Sequence, residues 1–117
     1  MLTVRGAGEQ RNGATIRMGG MATSIQHPMT AKGFVFLAIE DETGMMNVTL
    51  RPDVYRRFRA VLHRHPLLVV TGRLQVDGAV LNVVATHLEP LNESVDAEPT
   101  DAQETHFDLI KQRRMFR

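Results

Sequence analysis

The sequence predicts an all-β domain, five strands closed into a small Greek-key barrel, with one helix between the third and fourth strands. Three observations carry that prediction. Five runs rich in β-branched and aliphatic residues are separated by turns containing Gly, Asp or Pro. One stretch, Arg51 to His65, switches from a period of two to helical spacing. The first run carries a Gly-Gly pair at its middle, where a strand serving both sheets of a barrel must bend.

The bulk properties bound the answer. The 117 residues hold one small domain with a tail, and 43% hydrophobic residues suffice for one core. The absence of cysteine excludes a disulfide scaffold, thiolate metal sites and a cysteine nucleophile. No apolar run approaches the roughly 20 residues that span a bilayer, and the N-terminus lacks an apolar signal segment. A cytoplasmic protein with no membrane partner is the expectation. The net charge of +1 is unevenly divided. Residues 1–92 carry ten Lys/Arg against seven Asp/Glu, or +3, whereas residues 93–117 carry four against six, or −2. A mildly basic body permits nucleic-acid binding.

Residues 1–13 read as a loose N-terminal arm with a short extended start at Leu2–Arg5, because Gly6, Gly8 and Gly13 interrupt any period. Residues 14–26 form the first strand, and Gly19-Gly20 marks a bulge, a bend or a close backbone approach. After a loop over 27–32, residues 34–39 and 45–50 make a hairpin across Asp41-Glu42-Thr43-Gly44. Alternation places Val35, Leu37 and Ile39 on one face, with Phe34, Phe36 and Ala38 on the other. One of these apolar faces is core; the other is a second packing surface or a binding surface.

The helix follows. Pro52 suits the first helical position, Asp53 suits the positive end of the dipole, and Pro66 stops the helix. Val54, Tyr55, Phe58, Val61 and Leu62 form its apolar stripe. Its other side, with Arg56, Arg57, Arg59, His63 and Arg64, reads as a solvated face rather than a phosphate-binding one. Residues 67–74 and 79–86 form the last hairpin across Val76-Asp77-Gly78. This order matches the OB-fold, a five-stranded barrel closed at one end by a helix. The OB domain thus covers 14–91, and residues 92–117 form an acidic linker containing Pro99. Thr100-Asp101-Ala102-Gln103 would cap a short C-terminal helix through about Arg114; a disordered tail is an equal alternative.

Ile16-Arg17-Met18-Gly19-Gly20-Met21, Thr30-Ala31-Lys32-Gly33 and the run from Phe36 to Gly44 together resemble a known domain. It is the C-terminal OB domain of bacterial C-family DNA polymerases, above all the error-prone branch of the polymerase III alpha-like enzymes. The similarity continues through Arg51-Pro52-Asp53-Val54-Tyr55, Gly72-Arg73-Leu74-Gln75 and Asn82-Val83-Val84-Ala85, and the ending Arg114-Met115-Phe116-Arg117 also fits. More distantly, the hairpin is similar to the anticodon-binding OB domains of class II aminoacyl-tRNA synthetases. The resemblance implies single-stranded nucleic acid bound across the second and third strands. It places Phe36 at a base-stacking aromatic and Asn47 at an amide that reads a base edge. Two departures stand out: Arg51 where the family carries an aromatic, and Ile25-Gln26-His27-Pro28 where its first loop is more basic. A chain of this length has no room for the polymerase palm, so no polymerase activity is implied.

The remaining chemistry is thin. His63 and His65 are two residues apart, whereas helical metal pairs prefer three or four, so no metal site or other cofactor is expected. Glu40, Asp41 and Glu42 read as turn acids in solvent. Neither a nucleophile elbow nor a phosphate loop occurs, and no enzymatic activity is expected. The first functional reading is a non-catalytic module for single-stranded DNA, with RNA second. Phe36, Phe34 and Asn47 would contact bases, and Lys32, Arg17, Arg51 and Arg73 phosphates. The second is a protein-interaction module, whose same sheet face docks on a polymerase body, an accessory mutagenesis protein or a second copy. Either face would be masked if the arm or the acidic tail lay across Phe34 and Phe36. In that case removal of residues 93–117 strengthens DNA binding.

Overall fold

The computed structural model describes residues 1–91; the expectations of an acidic linker, of a short C-terminal helix or disordered tail, and of a tail masking Phe34 and Phe36 lie outside the described residues. Five strands, β1 (Thr15–Gln26), β2 (Val35–Asp41), β3 (Gly44–Leu50), β4 (Leu67–Asp77) and β5 (Val80–Pro90), close in the order β1-β2-β3-β5-β4. All neighbours are antiparallel except β3 and β5, which run parallel from Asn47↔Asn82 to Leu50↔Ala85. Helix α1 (Val4–Gly8) precedes the barrel, and α2 (Pro52–Arg64) joins β3 to β4. This is the predicted all-β OB barrel with its helix between the third and fourth strands.

The period-two pattern explains the core. Val35, Leu37 and Ile39 of β2 point inward, as do Met46, Val48 and Leu50 of β3 and Val83, Ala85 and Leu88 of β5. Helix α2 buries Val54 and Leu62, with Tyr55, Phe58 and Val61 half-buried against the barrel. The predicted stripe therefore closes the end of the barrel where β3 ends and β4 begins.

The arm differs from the expectation. In place of a loose extended segment, residues Val4–Gly8 form a helical turn that buries Val4 and Ala7 in the main core. Thr3 caps it, its hydroxyl accepting from the Gly6 amide at 3.0 Å. Leu2 bridges to Met18, its amide donating to the Arg17 carbonyl at 2.8 Å. Further on, the Asn12 side-chain oxygen accepts from the Val76 amide at 2.9 Å. These contacts close the barrel at the end opposite α2.

Asp41 ties the arm down, and it is buried rather than in solvent. One carboxylate oxygen accepts from the Val4 amide at 2.9 Å. The other accepts from the Thr43 amide at 2.8 Å, the Thr43 hydroxyl at 2.6 Å and the Gly44 amide at 3.2 Å. One side chain thus folds the β2–β3 turn and anchors the N-terminus.

The two glycines at the middle of β1 play different parts. A Cβ on Gly20 would lie 2.6 Å from the Glu40 carbonyl oxygen and 2.8 Å from Ile39 Cγ2. On Gly19 its close contact would be the flexible end of Met1 at 3.0 Å, with the Leu68 carbonyl oxygen at an ordinary 3.6 Å. Gly19→Ala is therefore expected to melt close to the parent protein. Gly20→Ala is expected to lose about 2 kcal/mol or more, because strand backbone cannot step aside as a methionine can. Paired thermal melts check the contrast.

Candidate nucleic-acid interface

The outward side of the β2–β3 hairpin carries the first group of predicted residues. Register pairs Phe36 with Thr49 and Ala38 with Asn47, so these four side chains share one face. Phe36 is 37% exposed and borders a shallow depression with Ser24, Gln26, Met45 and Asn47. β1 and β3 flank the strand that carries this ring, which leaves part of its apolar surface open to solvent. Asn47 is exposed, with its amide 3.5 Å from the Leu81 carbonyl, a weak contact that leaves its polar atoms accessible.

The face is less open than strict alternation implies. Ala38 is buried where β1 shifts register between Ala22 and Ser24, and the Thr23 hydroxyl reaches the Ala38 carbonyl at 3.4 Å. Phe34 precedes β2 and is half-buried. None of the arm's hydrogen bonds, which run to Arg17, Asp41, Thr43, Leu74 and Val76, reaches Phe36. The arm leaves this face uncovered.

From Asn47 the surface continues across the parallel β3–β5 seam. The Thr49 hydroxyl donates to Asn82 Oδ1 at 3.0 Å, and Asn82 Nδ2 donates to Gln75 Oε1 at 3.3 Å. This polar chain leads to a cleft lined by Asn12, Arg51, Arg73, Gln75, Asp77, Val84 and Thr86. Arg51 and Arg73, remote in sequence, meet there. Arg51 occupies the N-cap of α2 without bonding the helix through its side chain, and Arg73 faces outward from β4.

Lys32 and Arg17 stand elsewhere. Lys32 is exposed in the β1–β2 loop and takes a left-handed backbone at φ 54°. Arg17 lies nine residues before Gln26, the β1 partner of Phe36, and pairs with Glu89 at 3.4 Å. The structure thus brings Phe36 and Asn47 together and Arg51 and Arg73 together, and sets Arg17 apart. Thr49, Asn82, Gln75 and Asn12 escaped sequence reasoning. Thr49 was within reach, being two residues beyond Asn47 on the same face. Joining Asn82 and Gln75 to that face depends on the β3–β5 pairing, and Asn12 depends on the arm's contact with β4, neither of which strand order alone reveals.

Helix α2 presents a basic outer face of Arg56, Arg57, Arg59, His63 and Arg64, all exposed. His63 bonds the Tyr55 hydroxyl at 2.9 Å. Among the described residues no three His, Asp or Glu side chains converge as a metal site would require. No helix among them is long and apolar enough to cross a membrane.

Comparison with known proteins fits this geometry. The family model of the OB-fold nucleic acid binding domain matches residues 16–91. The error-prone DNA polymerase of Anaeromyxobacter dehalogenans (strain 2CP-C) is 40% identical over 101 residues, 85% of this chain and 9% of the polymerase. That of Burkholderia mallei (strain ATCC 23344) is 39% identical over 98 residues, 84% of this chain and 9% of the polymerase. The chain thus spans less than a tenth of the length of these curated relatives. Among solved structures, asparaginyl-tRNA synthetase from Pyrococcus horikoshii, complexed with asparaginyl-adenylate, superposes with a TM-score of 0.63 at 17% identity. That match covers 77% of this chain and 22% of the synthetase, and shows a shared fold. The chain belongs to the OB-fold nucleic acid binding domain family and is similar to a segment of bacterial error-prone DNA polymerases.

Proposed function

We propose that this chain is a non-catalytic module that binds single-stranded nucleic acid, DNA in preference to RNA, across β2 and β3. The observation that carries the reading is the solvent-open ring of Phe36 beside the accessible amide of Asn47 on one strand face. A base stacks on Phe36 while Asn47 meets a base edge, and Phe34 adds apolar surface at the start of β2. Lys32, Arg51 and Arg73 supply phosphate contacts around this face; Arg17 contributes only if Glu89 releases it. Curated relatives named as DNA polymerases support DNA over RNA. The same likeness supports action in the cytoplasm, alongside a polymerase.

Binding is expected to be modest and salt-sensitive, since one exposed aromatic contributes about 1–3 kcal/mol per stacked base and counterions are released from phosphates. Fluorescence anisotropy with labelled oligo-dT at low salt tests this. Phe36→Ala is expected to weaken binding roughly fivefold or more, with an unchanged melting temperature. Equal affinity of the variant would remove Phe36 from the interface.

The exposed apolar side chains near Phe36, Met45 at 57% and Ile25 at 42%, favour a second reading. In it the same face docks on a protein: a polymerase body, an accessory mutagenesis protein or another copy. No oligo-dT binding at low salt, together with a concentration-dependent size in solution, would support that reading over the first.

A further inference from the structure

The cleft between the β4–β5 hairpin, the end of β3 and the arm is rich in hydrogen-bond donors that have no partner within the protein among the described residues. Asn12 Oδ1 already accepts from the Val76 amide, whereas the Asn12 NH2 has no hydrogen-bond partner among the described residues. Gln75 Oε1 already accepts from Asn82 Nδ2, whereas the Gln75 NH2 has no hydrogen-bond partner among the described residues. The Thr49 hydroxyl donates to Asn82 Oδ1, and the Asn82 NH2 is turned toward Gln75. Arg51 and Arg73 carry donors and no acceptor, and neither has a carboxylate partner among the described residues. Four side chains from the arm, the N-cap of α2 and β4 thus present N–H groups to one cleft. Val84 provides an apolar wall, and Asp77 is the one acid in the lining.

A site that offers donors and two guanidiniums selects an acceptor-only, negatively charged group, and a phosphodiester is such a group. We propose that this cleft is a backbone-phosphate subsite for a single strand that crosses Phe36 and continues over β3 and β5 onto β4. Three inter-strand steps of about 4.8 Å, roughly 14 Å in all, separate the Phe36 strand from Arg73. The inference rests on the single-strand reading above and extends it by giving Asn12 and Gln75 roles and a ligand chemistry. Asp77 opposes the anion and limits affinity.

The test is the salt dependence of oligo-dT affinity, measured by anisotropy on the full chain for the parent, Arg73→Gln, Gln75→Glu, Asp77→Asn and Phe36→Ala. All four substitutions sit on exposed positions, and a thermal melt checks that each variant folds. Each lost phosphate contact lowers the slope of log K against log salt by about 0.7 for a single strand. Arg73→Gln is expected to show that drop, whereas Phe36→Ala weakens binding with the slope retained. Gln75→Glu is expected to weaken binding roughly tenfold at low salt, and Asp77→Asn to tighten it. If Phe36→Ala weakens binding but the cleft variants match the parent in affinity and slope, the subsite is wrong and the Phe36 face stands. If Arg73→Gln lowers affinity with no change of slope, the cleft holds a base rather than a phosphate, and the proposal fails. If oligo-dT does not bind the parent at low salt, the subsite falls together with the single-strand reading.

Discussion

Gly72→Ala is expected to be the most destabilising single-methyl addition in the barrel, by about 3 kcal/mol or more. Gly72 sits where β4 and β5 shift register, paired with Ala85 beyond the irregularity at Thr71. A Cβ there would lie 2.8 Å from Ala85 Cα and from the Val84 carbonyl carbon, and closer still to the Val84 oxygen. All three are backbone atoms of the neighbouring strand, itself held by β3 on its other side. No rotamer change relieves the clash, so the two strands must separate and give up ladder hydrogen bonds. For a domain of this size that corresponds to a fall in melting temperature of more than about 10 °C. Gly78→Ala is a useful companion. Nothing lies within 4 Å of its Cβ, so its loss comes only from the left-handed backbone at φ 62° and stays near 1 kcal/mol. Similar melts for the two variants would mean that the close approach at Gly72 is not what fixes the β4–β5 register.

Asp41→Ala is expected to cost about 2–3 kcal/mol and to release the arm. The substitution removes the acceptor of three backbone amides, those of Val4, Thr43 and Gly44, at a buried position. An amide left unsatisfied where water cannot reach it carries its full desolvation penalty. The effect has two separable parts. The turn amides of Thr43 and Gly44 can still find solvent, because Thr43 is exposed. The Val4 amide cannot, because Val4 and Ala7 are packed into the core behind it. Hydrogen exchange in residues 2–8 of Asp41→Ala should therefore accelerate far more than exchange in β4. Uniform acceleration would show that the arm and barrel unfold as one unit and that Asp41 serves the turn alone. Truncating Val4 to Ala should loosen the same segment while leaving the Thr43 amide protected.

The barrel was legible because its strands alternate cleanly. Val35, Leu37 and Ile39 could be assigned inward from spacing alone, and the switch to helical period at Pro52 placed α2 between the third and fourth strands. The arm was not legible. Val4–Gly8 is too short to display a period, two of its five residues are glycine, and its principal partner, Asp41, lies 37 residues away. Thr3 was the one local clue, a capping residue whose hydroxyl meets the Gly6 amide. Asp41 was misread for the same reason. A carboxylate in a turn looks solvated until the segment that covers it is known. At the candidate site, Phe36 and Asn47 emerged from alternation and family likeness, because both sit on a hairpin whose pairing is local. The Thr49–Asn82–Gln75 chain did not emerge, since it crosses a parallel seam between strands 30 residues apart in sequence. Local pairings can be read from a sequence; closure of the barrel had to be seen.

The measurement that tests the central claim most directly is an NMR titration of the 15N-labelled chain with unlabelled oligo-dT, read residue by residue. A single strand lying across β2 and β3 predicts that the amides of Phe36, Ala38, Asn47 and Thr49 shift first and most, with Asn82 following, while the buried side of α2 stays still. Shifts confined to the basic face of α2, around Arg56, Arg57 and Arg59, would contradict a sheet-face interface even if the affinity were high.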